Sequence, residues 1–78
     1  MTADSGRSLG LLVVGQGSRE PVGIAEFLAT TLQVAELAPE WAVEPCFLEF
    51  AEPTIAGGLA KLARRGARRR VAIDESAR

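Results

Sequence analysis

Leu9–Val14 reads Leu-Gly-Leu-Leu-Val-Val and is closed by Gly15. A near-continuous apolar run of that kind suits a central strand of a parallel sheet, covered on both faces and therefore without a solvent side to alternate toward. Parallel neighbours must be joined by a crossover, usually a helix. The rest of the chain supplies that pattern twice.

Pro21 sits where a helix can begin, and from there Ile24, Phe27, Leu28, Leu32 and Ala35 recur at the spacing of one helix face, with Thr31 filling a step. Pro39 stops this helix. Trp41–Phe50 then alternates, placing Val43, Pro45, Phe47 and Glu49 on one side. Proline has no amide hydrogen for a ladder, so the second strand is expected at an edge. Pro53 is a suitable first helical residue. Ile55, Leu59, Leu62 and Ala63 form the second apolar stripe, and Gly66 marks its end. Gly57 and Gly58 should weaken that helix by roughly 1 kcal/mol each relative to alanine. A third strand shows as Val71-Ala72-Ile73.

The expected fold class is α/β, a β-α-β-α-β unit on a three-stranded parallel sheet. Right-handed crossovers give the strand order 2-1-3. Residues 1–8 read as a polar tail, 9–73 as the domain, and 74–78 as a second tail. In a complete doubly wound sheet the third strand would have a further neighbour. Here it reads as a bare edge, and the chain as half of a domain that pairs with a second copy or with a complementing C-terminal half.

Composition narrows the function. Seventy-eight residues make at most one small domain with a modest core. A hydrophobic content of 47% argues for a globular chain over a disordered one. The net charge of −1 gives no electrostatic case for nucleic acid. The polar start lacks the apolar centre of a signal peptide, and no run is long enough for a membrane span. Cys46 is the only cysteine, so no internal disulfide is available and a cytoplasmic location is the default. It alternates away from Glu49 and reads as a small buried hydrophobe. Histidine is absent, which removes the commonest metal ligand and the commonest base near neutral pH.

Two segments remain. Gly15-Gln16-Gly17-Ser18-Arg19 closes the first strand, and Phe47-Leu48-Glu49-Phe50-Ala51-Glu52-Pro53 closes the second. Both fall at the carboxyl ends of parallel neighbours, where open α/β sheets build ligand sites. Gln16 and Glu49 thus share a rim. A dinucleotide fingerprint would need a third glycine at position 20, but that residue is Glu20, and Gly23 comes three residues late. Ser18 and Arg19 stand where helix amides favour anions and would hold a substrate carboxylate, or they serve the turn alone. Glu49 is either a rim ligand or a solvated strand-end carboxylate.

Together, Leu12–Pro21 and Phe47–Thr54 resemble the sirohydrochlorin chelatases, the small class II chelatases of cobalamin and siroheme biosynthesis. That family's first strand typically ends in Gly-His-Gly-Ser-Arg and an acid, its second in Phe-Leu-Glu-x-Ala-x-Pro. The resemblance runs from about Leu9 to Ile73. It implies a three-layer chelatase fold and a lyase that inserts a divalent metal, cobalt or iron, into a carboxylate-rich tetrapyrrole with no organic cofactor. It also implies a metal-facing histidine after the first strand, a glutamate after the second, and another histidine beyond the third.

Glu49 matches the glutamate, as ligand or base, and Gln16 occupies the first histidine's place. An amide has no useful basicity near neutrality and offers only a weak carbonyl ligand. Transition ions favour imidazole. The expectation is an impaired chelatase. The competing one is a non-catalytic module that pairs through its third strand. Arg64, Arg65, Arg68, Arg69 and Arg70 lie at the opposite end of the sheet and read as a solvated basic turn.

Overall fold

A computed structural model describes residues 8–75. The remaining parts of the two expected tails, 1–7 and 76–78, lie outside the described residues. The elements run β1 (Leu9–Gly15), α1 (Pro21–Leu37), β2 (Trp41–Phe47), α2 (Ile55–Arg64) and β3 (Arg69–Asp74). All three strands are parallel, in the order β2-β1-β3. The apolar run at Leu9–Val14 is the middle strand, as its composition requires.

Register assigns the faces. Leu12 aligns with Glu44 on one side and Ala72 on the other. Even-numbered β1 residues face α2: Leu12, Val14, Ala42, Cys46, Leu62 and Ala67 form the buried cluster there. Gly58 makes this approach possible, because a Cβ at that position would lie 2.5 Å from Leu12 Cδ1 and 3.2 Å from Cys46 Cβ. The glycine that costs helix propensity therefore brings α2 down onto the sheet. On the other face, the Phe27 ring of α1 packs at 5.1 Å from the Phe47 ring, tilted by 56°, within the favourable range for aromatic pairs.

The caps explain the helix boundaries. Pro21 opens α1, whose missing amide hydrogen costs nothing in the first turn. α2 begins two residues later than Pro53. Thr54 is its N-cap, and its Oγ1 accepts from the Gly57 amide at 3.1 Å. Pro53 instead closes the preceding loop, its carbonyl accepting from the Phe47 amide at 2.9 Å, after a cis Glu52–Pro53 bond.

Other expectations shift. β2 ends at Phe47, three residues short of the alternating stretch, because 48–53 fold back on the strand end. β3 extends beyond Val71–Ile73 at both ends. α1 buries only part of the expected stripe. Thr31 is its buried residue, with its hydroxyl satisfied by the Phe27 carbonyl, whereas Leu28 and Leu32 are exposed. α1 packs chiefly on β2, an edge strand, so only part of its apolar stripe finds sheet beneath it. Arg65 also leaves the solvated basic turn. It donates to Glu44 Oε2 at 2.8 Å and to the Val43 carbonyl at 3.1 Å, tying the end of α2 to β2. Cys46 is fully buried, and burial pushes its thiol above the usual range, with the Asp74 charge adding to the shift.

Candidate functional site

The β1–β2 ladder aligns Gly15 with Phe47, which brings residues 16 and 49 past the strand ends side by side. Backbone pairing continues into both loops. The Leu48 amide donates to the Gly15 carbonyl at 2.9 Å, and the Glu49 amide to the Gln16 carbonyl at 3.2 Å. The side chains then meet: Gln16 Nε2 donates to Glu49 Oε1 at 2.8 Å. The structure thus joins the two rim residues that the strand topology placed near each other.

Gly17 permits this closeness. Its φ is 93°, a left-handed conformation, and a Cβ there would run into the Glu49 carbonyl oxygen. The sequence marked Gly17 as part of a tight turn. Its service as a seat for the opposite loop depends on the tertiary approach and has no local signature. Phe50 is the second residue that sequence reasoning missed. Its φ of 69° is unusual for a bulky side chain. The Arg19 guanidinium lies 4.5 Å from its ring centroid, within cation–π range. Arg19 and Phe50 thereby form a second contact across the two loops.

Ser18 does not reach across. Its Oγ accepts from the Glu20 amide at 2.9 Å, closing the turn into α1. In this conformation both residues assigned to substrate carboxylates are engaged within the chain.

Chemically, the rim offers one ionisable carboxylate with an amide donor on one of its oxygens. Both Gln16 and Glu49 are solvent-exposed. Among the described residues no three His, Cys, Asp or Glu side chains converge as a metal cage. An open apolar groove between α1 and β2, lined by Leu28, Leu32, Val43 and Pro45 among others, lies away from the rim. It carries none of the rim's polar groups. No described helix is long and apolar enough to cross a membrane.

The CbiX family model matches residues 10–73 of the 78, spanning every element of the sheet and both rim loops. No curated protein matches the chain.

Proposed function

The chain belongs to the CbiX family, that of the sirohydrochlorin chelatases, and on that footing we propose that it serves metal insertion into sirohydrochlorin as an impaired chelatase unit. The observation that carries this reading is the 2.8 Å contact between Gln16 and Glu49 at the carboxyl ends of β1 and β2. On this reading the two family positions meet there, with an amide where the family's motif carries an imidazole.

The substrate is a carboxylate-rich tetrapyrrole together with a divalent ion, cobalt or iron; no organic cofactor takes part. Insertion requires the macrocycle to lose two pyrrole protons while the ion sheds its ligands. Glu49 would hold the ion through Oε2 or accept a pyrrole proton. Gln16 would orient that carboxylate and add at most a weak carbonyl ligand, because an amide takes up no proton near neutral pH. Arg19, once swung from the Phe50 ring, and Ser18 would hold a peripheral carboxylate at the start of α1. One carboxylate and one amide give a transition ion too few good donors. Efficient insertion therefore needs an imidazole at position 16 and further ligands from outside the described elements. The reading places this work in the cytoplasm.

Cobalt insertion into sirohydrochlorin, followed spectrophotometrically on four proteins, is the test. The chain itself and Gln16→His alone are expected at the uncatalysed rate. Gln16→His fused to a C-terminal half from a complete family member is expected to exceed it. Adding Glu49→Ala to that fusion should lower the rate again. Turnover by the unmodified chain would make Gln16 a working ligand and end the impaired reading. Silence from a folded fusion would favour the non-catalytic alternative, for which the six exposed residues of β3 speak.

A further inference from the structure

Phe50 is the rim residue that the proposed chemistry leaves without a role. It follows Glu49, and its backbone is held at a φ of 69°, a region costly for a bulky side chain. Core packing does not offset that cost, because the residue is 55% exposed. Leu48, on the other side of Glu49, is also exposed, so the rim carboxylate is flanked by two apolar side chains outside the core. Strained residues of this kind cluster at ligand clamps and active sites.

What lies on the Phe50 ring indicates the chemistry of a ligand. The Arg19 guanidinium stands over it, with Cζ 4.5 Å from the centroid. Among the described residues no hydrogen bond or ion pair ties Arg19 elsewhere. A guanidinium is a flat, delocalised cation, and a ring face that takes one also takes a conjugated ring. An exposed cation–π contact is weak enough for a ligand to displace. A carboxylate draws a guanidinium more strongly, through paired N–H donors.

A ligand with a flat conjugated body and carboxylates on its periphery would therefore replace one contact within the chain by two of its own. A carboxylate-rich tetrapyrrole is such a ligand. Consecutive Cα atoms stand about 3.8 Å apart, so a macrocycle that reaches Glu49 spans Phe50 as well. The geometry points to Phe50 as a stacking residue for the tetrapyrrole. In the free chain Arg19 holds the place on the ring. On binding, Arg19 passes to a peripheral carboxylate and the conjugated body takes the vacated face. This inference rests on the proposed chelatase reading for its ligand, and it adds a binding residue which that reading does not use.

The probe is uroporphyrin, a flat, carboxylate-rich tetrapyrrole, and binding alone is measured, so that insertion chemistry does not enter. The full chain is titrated to about 1 mM, the weak end of ordinary substrate affinities, into dilute uroporphyrin followed by absorbance and fluorescence. Phe50→Leu keeps an apolar side chain and removes the ring face, with circular dichroism as the folding check. It is expected to weaken binding about two- to tenfold, the worth of an aromatic pair beyond its area. Phe50→Trp should keep the affinity. Butanetetracarboxylate, which has carboxylates and no ring, should lose nothing on Phe50→Leu. In the unmodified chain, NMR should show the Phe50 ring protons shifted upfield by the porphyrin ring current, further than those of the Phe27–Phe47 pair.

A chain that does not bind uroporphyrin would overturn the inference. So would equal affinity of Phe50→Leu, a loss shared with butanetetracarboxylate, or shifts centred on Phe27 and Phe47. Should Phe50→Leu unfold, the NMR shifts of the unmodified chain decide alone. Binding that depends on Phe50, beside a folded fusion silent in metal insertion, would sink the chelatase reading and leave the stacking role standing. An active fusion with binding indifferent to Phe50 would do the reverse.

Discussion

Replacing Gly17 with alanine tests whether the rim is held by backbone closeness between two loops. The φ of 93° places the new side chain in the left-handed region, and its Cβ meets the Glu49 carbonyl oxygen. The conformational part costs roughly 1–2 kcal/mol for a residue with a Cβ. Relieving the collision moves the 48–50 loop away and strains the amide bonds from Leu48 to Gly15 and from Glu49 to Gln16. Each is worth about 0.5–1.5 kcal/mol net. Together the loss should be about 2–5 kcal/mol, a large share of the roughly 5 kcal/mol expected at the low end for ordinary domains.

Gly23→Ala is the control. It lies in the first turns of α1, and a Cβ there meets only Ser18 Oγ at 3.4 Å and Ser18 Cβ at 3.5 Å, ordinary contacts. It should stabilise the chain by up to about 1 kcal/mol through helix propensity. Urea unfolding, followed by circular dichroism and by the single tryptophan, Trp41, measures both. Opposite signs are expected. A Gly17→Ala loss below about 0.5 kcal/mol, the size of surface effects, would refute the close-approach argument.

Leu62→Ala removes a fully buried side chain from the β1–α2 cluster and should cost about 2–5 kcal/mol, measured by the same unfolding; a cost under about 1 kcal/mol would show that the cluster is loosely packed. Burial raises the Cys46 thiol, so the folded chain keeps its proton at a pH where the unfolded chain has lost it. This contribution is full below the unfolded value of about 8.5 and is lost as pH rises through the folded value. Stability should therefore fall above that pH more steeply than in Cys46→Ala, and parallel pH profiles for the two proteins would count against it. Calorimetric titration with Co²⁺ should find affinity weaker than micromolar, since one carboxylate and one amide make a poor site. A stoichiometric micromolar site abolished by Glu49→Ala would mean that other donors converge on the rim.

Element order, the parallel sheet and the 2-1-3 arrangement were legible because they follow from local pattern and chirality. An apolar run with no alternation has to be a covered strand, as Leu9–Val14 is, and Pro45 has to sit at an edge. What could not be read depends on where elements land against one another. The spacing of Leu28 and Leu32 was correct for a helix face, yet both are exposed, because α1 sits over a strand with no neighbour beyond it. Arg65 looked solvated until the end of α2 was brought down beside Glu44. Gly58 looked like a defect until Leu12 was placed beneath it.

The rim divides along the same line. That Gln16 and Glu49 share one end of the sheet follows from topology, since both close parallel neighbours. That Gln16 Nε2 bonds Glu49 Oε1 depends on Gly17 admitting the opposing backbone. A histidine at position 16 would inherit the same seat beside Glu49. On the proposed reading the identity of residue 16 is therefore separable from the scaffold. On that reading Gly17 would preserve the geometry that the chemistry needs, while Gln16 would withhold the base and the ligand.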